Sequence, residues 1–384
     1  MRAEVAMLSR FVEERRGLRF REPVDVDVLA PGDFRTRVLA EFDKDLETLK
    51  AQGDLLIALG MVPADLDVVD AQRKLLGDGV LGFYDPVTKA LVVRADRITP
   101  FFRQILVHEL THALDDQHFD LDRPELADRH DGSDWAFLAL VEGNARRIEN
   151  EYVAQLPPGD RQELQDEMWE LGMEQMTTML SVPLILAQLL TAPYDLGDPF
   201  ARKLVEAGGQ RALDDAFSSP PVSSEQVLHP EKYMKAEGPR TLQRPPADAP
   251  VKAEGVLGEA LTGYYLQGDQ IGGLGNLFGS GDLTELMREL LGTLDPNDAG
   301  LGDLLGTPGL GLLGRPEVDG WGGDRYVVWD DTDGSGVCIR VDWVMDSDAA
   351  LAELDRRVRE RTASDPAASI ERPDHQRIRL TRCS

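Results

Sequence analysis

His108-Glu109-Leu110-Thr111-His112 sets two imidazoles one helical turn apart, with a carboxylate beside the first. Residues four apart on an α-helix differ by only about 40° in direction and about 6 Å in height, so two ring nitrogens can share one ion. Zinc accepts histidine nitrogen at about 2 Å, and a catalytic zinc site keeps one coordination position for water. Glu109 would stand beside that water as its base, which completes the minimal kit for zinc-assisted hydrolysis. Thr99-Pro100 reads as an N-cap followed by proline at the first helical position, where its missing N–H costs nothing. A helix is therefore expected over 101–117. Phe102, Leu106, Leu110 and Ala113 fall on one face and Ile105, His108 and His112 on another, so this helix should be buried on more than one side with its histidines inside.

A zinc ion needs a third protein ligand, and two residues compete for the place. His118 completes the spacing H-E-x-x-H-x-x-x-x-x-H of the metzincins, but Asp115 stands where those proteins have a glycine that lets the chain turn back. If the helix continues, His118 points about 80° away from His108 and lies about 15 Å along the axis, which leaves it a supporting or capping role. Glu142 is the other candidate. It closes the apolar run of Ser133-Asp-Trp-Ala-Phe-Leu-Ala-Leu-Val-Glu142, a helix expected to begin by capping at Ser133 and Asp134 and to be buried nearly all round. A carboxylate there requires a metal or a cation, and Arg146 one turn later is the alternative partner. Gly143 beside it permits two backbones to approach closely.

With Glu142 included, the arrangement resembles the gluzincin division of zinc metallopeptidases, whose H-E-x-x-H helix is followed by a second helix carrying a glutamate ligand. The interval from His112 to Glu142 is longer than in the thermolysin-like members. The local wording is similar to a group of bacterial and archaeal neutral zinc metallopeptidase-like proteins, many predicted to be surface-associated. The matching blocks are the run from His108 to Leu121, Glu142-Gly-Asn-Ala145, the run from Ser224 to Tyr233, and Gly320-Trp-Gly-Gly-Asp-Arg-Tyr326. The resemblance implies an α+β chain with a zincin-like fold, in which a mixed α/β N-terminal part precedes a helical C-terminal part of the catalytic unit. It implies Zn2+ held by His108, His112 and Glu142, Glu109 as base, and a peptide or protein substrate. It also places substrate beside an edge strand, here the hairpin over 80–94 around Asp85-Pro86, where unpaired backbone groups add a strand to an extended peptide; a hairpin serving only the core is the other reading. His229 and Tyr233 stand where thermolysin-like enzymes donate a group to the developing oxyanion, and they read equally well as loop anchors around Pro230. The competing class is a non-catalytic surface or binding protein that keeps a zincin scaffold with structural zinc.

With 384 residues the chain can bury a substantial core, and its net charge of −28 repels nucleic-acid phosphates. The amphipathic start over 1–16 lacks the apolar centre of a secretory peptide, so either the protein is cytoplasmic or an export segment is missing from the chain, in which case the resemblance implies an extracellular or cell-surface place. The most apolar stretch, 179–192, is interrupted by Pro183 and Gln188 and is too short to span a bilayer; it reads as a buried helix. Cys338 and Cys383 suit a disulfide in an exported protein and free thiols otherwise.

The organisation expected is a catalytic domain over 1–218 and an extension over 219–384 with glycine-rich loops and a terminal strand-strand-helix unit. A strand over 24–29 and a charged helix over 160–179 belong to the first part. Linker-like segments at 218–224 and 239–250 introduce the second, and 268–314 reads as short helices, such as 283–291, on long loops. Strands over 325–330 and 337–342 flank Asp330-Asp-Thr-Asp-Gly-Ser-Gly336, half of a calcium loop or an ordinary hairpin turn, and a helix follows over 348–360.

Overall fold

The computed structural model describes residues 1–95, 97–268, 315–331, 334 and 336–384, so the segment 283–291 lies outside the described residues. The elements run α1 (Arg2–Arg16), β1 (Val26–Leu29), α2 (Pro31–Phe42), α3 (Leu46–Ala58), α4 (Val68–Gly79), β2 (Gly82–Asp85), β3 (Ala90–Arg94), α5 (Pro100–Phe119), α6 (Pro124–Ala127), α7 (Ser133–Val153), α8 (Pro158–Leu180) and α9 (Leu184–Ser218). After them come α10 (Ser224–Leu228), α11 (Pro230–Met234), β4 (Val251–Gly255), α12 (Gly258–Gln267), β5 (Trp321–Asp330), β6 (Val337–Met345), α13 (Asp348–Arg361), β7 (Ala368–Glu371) and β8 (Arg377–Cys383). The architecture is mixed helix and sheet, an α+β chain.

The first sheet has the order β1-β3-β2, with β1 parallel and β2 antiparallel to β3. Its valine-rich centre, Leu91-Val92-Val93, is buried, as a strand paired on both sides should be. The turn between β2 and β3 is built by Asp85, whose carboxylate accepts from the N–H of Val87 at 2.9 Å. β2 is left as an edge strand.

The helix that carries the histidines begins as its sequence dictates: the Thr99 hydroxyl accepts from the N–H of Phe102 at 3.1 Å, and Pro100 is the first helical residue. It then runs without a break to Phe119. Leu106, Val107, Leu110 and Leu114 pack with Leu8 and Val12 of α1, Leu91 and Val93 of β3 and Ile148 of α7. A helix walled in by these elements is buried on several faces, and both histidines are inside.

Two local expectations are corrected. α7 is capped by Gly132 at φ +83° with no side-chain cap from Ser133 or Asp134, and Asp131 just before it accepts from the Ser133 N–H at 3.0 Å. The apolar stretch 179–192 is not one helix, because Pro183 fixes an extended residue ahead of Leu184 and divides α8 from α9. Among the described residues, no helix is long and apolar enough to cross a membrane.

The second sheet is antiparallel with the order β4-β5-β6-β8-β7. Trp321 and Trp343 are buried beneath α12, α13 and α3, with Leu55, Ala58 and Leu59 in the same cluster. Cys338 and Cys383 are register partners on β6 and β8 and are joined as a disulfide. The largest apolar cluster links α4, α7 and α9 to Val227, Leu228, Ala260 and Tyr264, so packing is continuous across residue 218.

Candidate metal centre

On α5, the helical repeat brings the Nε2 atoms of His108 and His112 to 3.0 Å from each other. α7 crosses this face of α5 and delivers Glu142, whose Oε2 lies 3.2 Å from each of the two nitrogens. Ligand atoms from the three residues all fall within 4.8 Å of one another. The other ring nitrogen of His108, Nδ1, is 2.9 Å from Glu149 Oε2, which fixes a donor on that side and turns the lone pair of Nε2 into the cluster. Two imidazole nitrogens and a carboxylate then face one point, an arrangement that calls for positive charge at its centre.

The titration tendencies express the same demand. Burial opposes charge on His108, yet its bonds to Glu142 and Glu149 outweigh burial and lift it well above its ordinary value. Burial likewise works to raise Glu142, and the two histidines overcome it and hold the carboxyl far below the usual range. A divalent cation would supply that positive charge without protonating a ring, so the donor set fits zinc.

Glu109 is buried next to the cluster and is not one of its converging groups. Burial, followed by the neighbouring carboxylates Glu142 and Glu149, pushes it upward, while both histidines pull it down; the net shift is upward. The edge strand passes directly against it. A Cβ built on Gly82 would sit 2.7 Å from Ile105 Cγ2 and 3.2 Å from Glu109 Cγ, so a side chain there would force a shift between β2 and α5. Two turns further along α5, Asp116 ties the hairpin down, accepting from the Tyr84 hydroxyl at 2.6 Å and pairing with Lys89 at 2.8 Å.

Arg146 does not pair with Glu142. Its guanidinium reaches Glu149 at 3.3 Å, leaving Glu142 to the histidines. His118 is not brought to the cluster either: α5 continues through Asp115, and the His118 ring meets the carbonyl of Arg19 at 2.8 Å. Asp115 holds instead the buried guanidinium of Arg16.

His229 is not among the groups that converge with His108, His112 and Glu142, and it and Tyr233 have hydrogen-bond partners of their own. Pro230 starts the short helix α11 immediately after His229, whose Nε2 is 3.0 Å from the buried carboxylate of Glu259. The Tyr233 hydroxyl donates to the carbonyl of Ser219 at 2.8 Å. Both therefore anchor loops.

Two residues at the cluster escaped the sequence reading. Glu149 follows Glu142 by two helical turns, and that same-face spacing was a usable signal. Tyr194 comes from α9, and its ring stacks on His108 with centroids 5.8 Å apart and planes 26° apart. Nothing local in the sequence connects it to the histidines.

The turn between β5 and β6 closes through Gly334 donating to the carbonyl of Asp331 at 2.9 Å, as a hairpin does. Asp331 lies near Cys338 and Cys383, but the two sulfurs are bonded to each other and offer no thiolate.

No protein-family model matches the chain. No curated protein matches it. Among solved structures, a protein of Chloroflexus aurantiacus described as "a putative hydrolase with a novel fold" is similar, with a TM-score of 0.41 and 18% identity over 61% of this chain and 87% of that one.

Proposed function

We propose that this protein is a zinc-dependent peptidase of gluzincin type, with His108, His112 and Glu142 holding the metal. The observation that carries the reading is the convergence of these three groups with Glu109 buried beside them. Zinc, when bound, acts as a Lewis acid and makes water a usable nucleophile near neutral pH. The protein's own part in the reaction follows from its side chains. Glu109 takes a proton from the attacking water and passes it to the amine nitrogen as the C–N bond breaks. β2 offers edge hydrogen bonds to an extended chain directly beside that carboxylate, whatever the peptide's side chains.

The competing reading is a binding protein with structural zinc. A structural site takes four protein ligands, and among the described residues three groups converge here. A buried carboxylate that does not ligate has no purpose in such a site, and it costs free energy to keep.

The test is metal analysis of the purified chain together with a peptide-library digest of wild type and Glu109→Gln. Stoichiometric zinc in both proteins, with cleavage reduced by roughly 10²- to 10⁴-fold in the variant, is expected. A wild-type chain that takes up no zinc, or that takes it up and cleaves no peptide, would end the peptidase reading.

A further inference from the structure

We propose that Tyr194 is a positioning residue for the metal group, a clamp from α9 that sets His108 and Glu142 in their ligating arrangement; this rests on the zinc reading above. Three contacts carry it. The phenol ring lies stacked on the His108 ring, 5.8 Å between centroids. The Glu142 carboxylate is a near neighbour of its hydroxyl. The guanidinium of Arg146 covers the ring at 5.8 Å from its centroid, which leaves Tyr194 little freedom to swing away.

The depth at which α9 presents Tyr194 is set by backbone contact. A Cβ built on Gly143 would lie 2.0 Å from the carbonyl carbon of Gly197, and one built on Gly197 would lie 1.8 Å from the carbonyl oxygen of Ala139. Gly143 adjoins Glu142 in the chain, and Gly197 is one turn beyond Tyr194. The point where the two helices touch is thus the point where ligand and clamp meet.

A phenol is the appropriate donor. At neutral pH it is uncharged, so it can hold one oxygen of a ligand carboxylate without competing with the metal for the other. Because the hydroxyl addresses a ligand and not the reacting atoms, Tyr194 acts through Glu142 and His108. Groups that orient metal ligands typically account for roughly 10- to 100-fold in metal affinity.

The experiment uses the full chain and two variants, Tyr194→Phe, which keeps the ring, and Tyr194→Leu, which removes it. Zinc affinity is measured by chelator competition, the ligand field by absorption of the cobalt-substituted protein, and the fold by thermal unfolding of the metal-free chain. About tenfold weaker zinc binding and a shifted cobalt spectrum are expected for Tyr194→Phe, with a larger loss for Tyr194→Leu, while the metal-free Tm stays at the wild-type value in Tyr194→Phe. Wild-type affinity and spectrum in both variants would overturn the proposal, as would an affinity loss in Tyr194→Phe that merely follows a lowered metal-free Tm. A wild-type chain that binds no metal would instead overturn the zinc reading itself.

Discussion

The Arg16 guanidinium and the Asp115 carboxylate meet at 2.6 Å, with the arginine side chain wholly and the aspartate almost wholly removed from solvent. Asn144 donates to the other Asp115 oxygen at 2.6 Å, and Phe119 and Phe217 flank the guanidinium, each centroid 5.3 Å away. The pair fastens α1 beneath the last turns of the histidine helix. Removing one partner leaves a buried charge with fewer counter-charges, a change that typically destabilises by roughly 3–5 kcal/mol. Urea unfolding of Asp115→Ala should show a loss of about that size, and the double variant Arg16→Met with Asp115→Leu should recover much of it. A single variant within about 0.5 kcal/mol of wild type would mean that the tie contributes nothing.

Glu142 and His118 can be told apart by metal affinity. Glu142→Ala removes a group that lies 3.2 Å from both histidine nitrogens and should weaken zinc binding by orders of magnitude in a chelator competition. His118→Ala touches only a contact with the Arg19 carbonyl and should leave the affinity unchanged. The opposite ranking would revive the metzincin arrangement.

Gly82 lies against both the histidine helix and Glu109. A methyl group there would meet Ile105 Cγ2 at 2.7 Å and Glu109 Cγ at 3.2 Å. Gly82→Ala should therefore lower kcat by roughly 10- to 100-fold through misplacement of the base, with zinc affinity intact. Unchanged turnover on a peptide that wild type cleaves would show that the Glu109 position tolerates movement of β2.

His229 predicts a pH dependence of stability. Its bond to the fully buried Glu259, the largest influence, raises its pKa above the reference of 6.5 against the opposing effect of burial. A histidine raised in the folded state contributes stability that is fully present below its unfolded pKa and is lost as pH rises through the folded value. The stability difference between wild type and His229→Gln should thus be largest in mildly acidic buffer and shrink above pH 6.5. A difference that stays flat across that window would show that His229 is neutral against Glu259.

The disulfide closes a loop with a sequence separation of 45. Loop closure of that length is worth about 4 kcal/mol of denatured-state entropy. The double variant Cys338→Ser and Cys383→Ser should lose up to that amount in reversible denaturation, while zinc binding at the distant helices is retained.

Much of the centre was legible in the chain because its chemistry is local. The helical repeat at His108 and His112, the capping at Thr99-Pro100 and the part-buried carboxylate at Glu142 are all spacing effects within single helices, and spacing survives in a sequence. The same holds for the hairpin around Asp85 and for β5, β6 and α13. What escaped depends on how helices meet. Tyr194 reaches His108 across a large sequence interval, and the partners of His229 and Tyr233 lie on segments whose approach no local pattern encodes. β4 was hidden next to a proline-rich stretch that resembles a linker, and β7 and β8 are short, charged strands whose pairing with β6 depends on tertiary context.

Gly143 and Gly197 have no side chains, and the meeting of α7 and α9 depends on that absence. Helices ordinarily keep their axes about 8–10 Å apart because side chains hold them off, whereas α7 and α9 touch backbone to backbone here. A methyl group at either position would leave every histidine and glutamate in the text of the chain while pushing α7 and α9 apart and moving Glu142 away from His108 and His112.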